Sequence, residues 1–177
     1  MRQKVNAQRF DDFMRALASD VRQSARVFLV GGATAVLFGW RDSTVDVDIK
    51  IVPEHDEVVR KLPPLKERFQ INIELAAPDD FIPPLPGWED RSQFIKQEGK
   101  ITFLHYDLYA QALAKIERWH DLDQFDVGKM FADKLIKPVI LQELFDRIED
   151  QLYRYPAIDA DAFRNRVQMV VKRERED

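Results

Sequence analysis

Apolar residues at Phe10, Phe13, Met14, Leu17, Ala18 and Val21 recur at helical intervals and predict an amphipathic helix near the start of the chain. The apolar run at 27–30 predicts a short buried strand, Gly31-Gly32 a turn, residues 33–38 a small apolar helix and Gly39 its stop. The period then changes to two. Val45, Val47, Ile49 and Ile51 alternate with Asp46, Asp48 and Lys50, so one face of the predicted strand enters a core and the other collects two carboxylates. Residues 54–69 have a helical pattern that Pro63-Pro64 are expected to break, and "QINIELAA" is a third strand with Asn72 and Glu74 on one face.

Farther along, "PDDFIPPLPGWEDR" reads as a proline-rich loop and "SQFIKQEGKITFLHYDL" as a hairpin turning at Glu98-Gly99-Lys100. Helical stripes follow at 107–119, 125–136, 138–152 and 159–171, with Pro138 suited to a first turn and Asp159 to an N-cap. Only the terminal "KRERED" reads as frayed. Strands alternating with helices, then helices alone, predict an α/β (α+β) fold. The sheet domain is expected over 1–106 and a helical C-terminal region over 107–177, folding as one unit.

Composition narrows the function classes. A chain of 177 residues, 45% of them hydrophobic, can bury a core of its own. The absence of cysteine excludes disulfides and thiolate metal sites and suits a reducing compartment. No apolar run spans a bilayer, and "MRQKVNAQRFDDF" lacks the apolar stretch of a signal peptide, so a cytoplasmic protein without a membrane partner is expected. A net charge of -4 argues against sequence-blind nucleic-acid binding, while leaving room for a local basic patch.

The glycine pair and the aspartate pair carry the candidate chemistry. Glycines at a strand-to-helix turn allow backbone N–H groups to approach a phosphate closely. Asp46 and Asp48 suit Mg²⁺, a hard cation that takes carboxylate and phosphate oxygens. Side chains two apart on a strand start roughly 6–7 Å apart, and can converge on metals about 3.5–4 Å apart for in-line transfer. Taken singly, each feature has an ordinary explanation: glycines mark many turns, and an aspartate pair beside Lys50 fits a solvated edge strand. Joined at this spacing, with Arg41 and Thr44 between them, they favour nucleotide chemistry, Arg41 either holding the turn or meeting a phosphate.

"LVGGATAVLFGWRDSTVDVDIKI" resembles the signature of the nucleotidyltransferase superfamily of DNA polymerase beta type, matching it at Gly31, Gly32, Asp46 and Asp48. Within that superfamily, "WRDSTVDVDI" and "ALAKIERWHDLDQFDV" resemble a bacterial family of uncharacterised nucleotidyltransferases related to those of abortive-infection and other toxin–antitoxin systems. The likeness covers roughly residues 27–127. It implies a mixed sheet flanked by helices that binds a nucleoside triphosphate with Mg²⁺, or Mn²⁺ in its place, and transfers a nucleotide to an RNA end or a protein side chain. A cognate antitoxin or other partner protein is implied as well. In related toxins a lysine and a downstream aspartate belong to the active site, and Lys115 and Asp123 match those positions. Glu74 is the choice for the third acid, in place of the more usual aspartate, with Asp79 and Asp80 competing from a loop.

The helical candidates are weaker without the likeness. Lys115, Arg118, His120, Asp121, Asp123 and Asp126 read on their own as a solvated face with ordinary ion pairs. Lys115 and Arg118 are three residues apart and share a face, so both suit a triphosphate. His55, His105 and His120 make no zinc spacing and read as structural or surface residues. The alternative to an enzyme is a non-catalytic nucleotide-binding or antitoxin-like interaction module that keeps the fold.

Overall fold

The computed structural model describes residues 1–176. Asn6 caps the first helix, α1 (Ala7–Ala18), by accepting the Arg9 N–H at 3.0 Å. β1 (Ala25–Val30) passes through the glycine pair into α2 (Gly32–Phe38), which stops at Gly39 in the left-handed conformation. Next come β2 (Asp46–Val52), α3 (Asp56–Val59), α4 (Leu62–Phe69) and β3 (Asn72–Leu75). A 3-10 turn (Pro78–Asp80) and α5 (Trp88–Arg91) precede the hairpin of β4 (Gln93–Glu98) and β5 (Ile101–His105). The remaining elements are α6 (Leu108–Arg118), α7 (Asp121–Ala132), α8 (Pro138–Ile148), a 3-10 segment (Glu149–Arg154) and α9 (Ala160–Glu176).

The helical pattern over 54–69 is interrupted as expected, between α3 and α4, and Pro63 and Pro64 lie just past the break in the first turn of α4, where a missing N–H leaves no hydrogen bond unmade. One local expectation is corrected. Residues 172–176 continue α9 instead of fraying, with Arg173 and Arg175 in the last turn, where cations oppose the helix dipole. Asp177, the last residue of the tail, lies outside the described residues.

The strands form one mixed sheet in the order β3-β2-β1-β5-β4. β1 runs antiparallel to β2 and parallel to β5, β2 runs parallel to β3, and β4 closes antiparallel on β5. Val47, Ile49 and Ile51 of β2, with Val27, Leu29, Ile73 and Phe103, bury one sheet face against Phe10, Phe13, Met14 and Leu17 of α1 and Leu62 and Leu65 of α4. Removing a buried phenylalanine such as Phe13 would cost about 3–5 kcal/mol. Because alternate residues face oppositely, the same register turns Asp46, Asp48 and Lys50 to the other side of the sheet.

The chain divides into two compact units. The sheet unit holds Met1–Ala77 and Ser92–Tyr106, and the second unit groups Pro78–Arg91 with the helices that follow. Within the second unit, Arg91 donates to Asp107 Oδ2 at 2.7 Å, and Phe145 meets Phe163 edge-on at 4.9 Å between α8 and α9.

Candidate active site

The candidate site in the sheet unit starts from the end of β1. Gly31 takes φ +62°, a conformation that favours glycine, and a side chain there would approach Asp48 Oδ2 to 3.5 Å. Gly32 is constrained by space: a Cβ would lie 2.3 Å from Thr44 Oγ1. The two glycines therefore let the turn close on the start of β2. Thr44 is fixed there by reciprocal backbone hydrogen bonds with Val5 at 2.7 and 3.0 Å, and its hydroxyl donates to the Asp46 carbonyl at 3.2 Å. Arg41 is half-buried in the connection between α2 and β2, its N–H bonded to the Ala35 carbonyl at 3.3 Å.

The parallel pairing of β2 and β3 sets Asp46 beside Asn72 and Asp48 beside Glu74. Asn72 Nδ2 donates to Asp46 Oδ1 at 3.0 Å and to Glu74 Oε1 at 2.7 Å, so one neutral amide joins two carboxylates that would otherwise repel. Sequence alternation placed Asn72 on this face but gave no sign of the bridge, which depends on pairing between strands. Asp46 and Glu74 are exposed and Asp48 is half-buried. Among the described residues no three His, Cys, Asp or Glu side chains converge as a ready metal cluster. The donor set, all carboxylate oxygens on one sheet face beside a glycine turn, suits a hard divalent cation bound together with phosphate oxygens.

A buried group supports the turn from below. His105 ends β5 opposite Leu29, and its Nδ1 lies 3.1 Å from the Thr34 hydroxyl. The same hydroxyl lies 3.3 Å from the Leu29 carbonyl, so Thr34 joins the His105 ring to the end of β1. Burial lowers the His105 pKa from 6.5 to about 4. Phe38 packs 4.5 Å from the His105 ring and stacks on Trp40 at 5.5 Å.

Lys115 and Asp123 come together in the helical unit, and they are buried there, not solvated. Lys115 Nζ lies 2.8 Å from Asp126 Oδ2 and 3.6 Å from Asp123 Oδ1. Arg118 grips Asp123 with two donors at 2.8 and 2.9 Å, and the His120 N–H adds a third at 3.2 Å. Burial pushes the Asp123 pKa upward, yet the Arg118 fork, the Lys115 charge and the His120 N–H together outweigh it and hold the carboxyl below its usual range. Lys115 is 5% exposed and Asp126 fully buried, so this network ties α6 to α7. Asp79 and Asp80, the competing acids, sit in the 3-10 turn of the same unit.

A family model described as "Nucleotidyltransferase of unknown function (DUF6036)" matches residues 7–175. The chain belongs to this family. No curated protein and no solved structure matches it significantly. In the sheet unit the glycine turn, two aspartates on one strand face and an acid on the neighbouring strand lie together.

Proposed function

We propose that this nucleotidyltransferase is metal-dependent and transfers a nucleotide from a nucleoside triphosphate to a hydroxyl of RNA or protein. The observation that carries this reading is the convergence of Gly31, Asp48 and Glu74: the glycine turn approaches the Asp48 carboxylate, and Glu74 stands beside it in register. Asp46, Asp48 and Glu74 would hold Mg²⁺ or Mn²⁺, which supplies charge neutralisation at the triphosphate and the leaving pyrophosphate. Gly31 and Gly32 would bring the turn backbone to the triphosphate beside Asp48. Thr44 and Arg41 hold the β2 side of that turn, and Arg41 is placed at the triphosphate as part of this reading. The acceptor oxygen attacks the α-phosphorus as the bond to pyrophosphate breaks, and the acceptor proton passes to a carboxylate, for which Glu74 on the exposed side of β3 is our choice. Lys115, Arg118 and Asp123 are proposed as helical contributors to the same reaction, on the family likeness. That likeness also supports a role in toxin–antitoxin or phage-defence systems in the bacterial cytoplasm, with a cognate antitoxin as partner.

A second reading has one observation behind it. The Asn72 amide occupies Asp46 and Glu74 together, an arrangement equally suited to a nucleotide-binding module that does not turn substrate over. Incubating the protein with each labelled triphosphate, Mg²⁺ and total cell RNA and protein separates the two. Label transferred to a macromolecule supports the enzyme. Triphosphate binding without transfer supports the module.

A further inference from the structure

The outer surface of the helical layer in the sheet unit carries a groove of about 660 Å³ between α1 and α4. Its lining holds four cations, Arg15, Arg60, Lys61 and Arg68, against one carboxylate, Asp12. This concentration runs against the composition of a chain whose net charge is -4. Arg15 and Arg60 keep 60% and 80% of their side-chain surface exposed while pairing with Asp11 and Asp56 one helical turn away. Exposed pairs of that kind hold their partners weakly, so an incoming carboxylate can share them. Between the cations the floor is apolar, made by Pro64, Leu65 and Phe69.

We propose that this groove docks an acidic amphipathic helix of a partner protein. The apolar stripe of that helix would lie on Ala16, Pro64 and Leu65, and its carboxylates would meet Arg15, Arg60, Lys61 and Arg68. The α1 side of the groove runs from Asp12 to Ser19, a length of about 10 Å, enough for roughly two turns of a docked helix. Nucleic acid fits the surface less well, because single strands bind through open aromatic faces as well as charge. Phe69 meets Phe13 edge-on at 6.2 Å and is covered by the Arg68 guanidinium at 5.2 Å. The inner faces of α1 and α4 bury the Val47 and Ile49 side of the sheet, so the groove opens away from the face that carries Asp46 and Asp48. A helix bound there leaves the carboxylates accessible, and the inference stands apart from whether the protein transfers nucleotides.

The test uses the full chain and a fluorescein-labelled peptide of about 14 residues, with leucines at i, i+3, i+4 and i+7 and glutamates on its other faces. Its anisotropy is compared with that of a scrambled peptide of the same composition, a lysine-for-glutamate version and a polyuridylate strand. The striped acidic peptide is expected to bind best and to weaken at least about tenfold with Arg60→Glu/Arg68→Glu. The neutral pair Arg60→Gln/Arg68→Gln is expected to give a smaller loss in the same direction, and it serves if the charge reversal impairs folding. Equal binding of the scrambled peptide, no peptide binding, undiminished binding by both double variants, or preferential binding of polyuridylate lost in those variants would overturn the proposal.

Discussion

Acidification from about pH 7 to about pH 4.5 should destabilise the fold through His105. Its pKa is about 4 in the folded chain and 6.5 as the ordinary value, because the buried imidazole is shielded from the water that would stabilise its charged form. In the unfolded chain the imidazole takes up a proton as the pH falls below about 6.5, whereas in the folded chain it stays neutral until about 4. Stability is therefore complete above the upper value and is lost as the pH falls between the two. A separation of this size corresponds to about 3 kcal/mol in all, of which about 2–3 kcal/mol is gone by about pH 4.5. His105→Asn keeps a polar amide for the Thr34 hydroxyl but does not titrate. It also loses ring contact with Phe38, a loss of about 1–2 kcal/mol that is the same at every pH. Urea unfolding at a series of pH values should show the wild-type advantage shrinking and then reversing as the pH drops. Stability curves that stay parallel down to about pH 4.5 would refute the buried neutral imidazole.

Three further outcomes follow from other parts of the structure. Lys115→Met removes the 2.8 Å cationic partner of the fully buried Asp126 and should lower stability by roughly 3–5 kcal/mol by denaturant unfolding, with Asp126→Leu added in the same chain recovering most of it; a neutral single variant would contradict the buried network. Gly32→Ala drives a Cβ to 2.3 Å from Thr44 Oγ1 and should lower stability by about 1–3 kcal/mol while weakening triphosphate binding by isothermal titration; unchanged binding would remove the turn from the site. Glu74→Gln should suppress transfer and leave triphosphate binding largely intact, whereas full activity there with a dead Asp79→Asn or Asp80→Asn would move the third acid to the 3-10 turn.

What could be read from residues alone was whatever depended on local period. The two-residue alternation around Val47 and Ile49 placed Asp46 and Asp48 on one face because burial of one strand face leaves no other register. Gly31 and Gly39 were legible as a turn and a helix stop because both require positive φ. Pro63-Pro64 signalled the interruption between α3 and α4 but not its place, because proline begins a helix as readily as it ends one. The Asn72 bridge and the His105–Thr34 contact depend on which strands lie side by side, information that no local period contains. Lys115 and Asp126 were read as a charged solvent face, since an ion pair cancels the polarity that would otherwise mark two residues as exposed.

The central claim is that Asp46 and Asp48 are held on one face to bind a cation with a triphosphate, and thermal unfolding with and without Mg²⁺ plus triphosphate tests it most directly. A ligand that binds only the folded chain stabilises it by about 2.7 kcal/mol at a hundredfold excess over Kd, so the wild type should melt higher when both are added. Asp48→Asn should fold as well as the wild type without ligand, because the substitution removes a negative charge next to Glu74 and in the same carboxylate group as Asp46. It should lose most of the ligand-induced rise, and Asp46→Asn should do the same. Equal rises in the wild type and both variants would contradict the two-aspartate site and, with it, the metal-dependent transfer proposed for this protein.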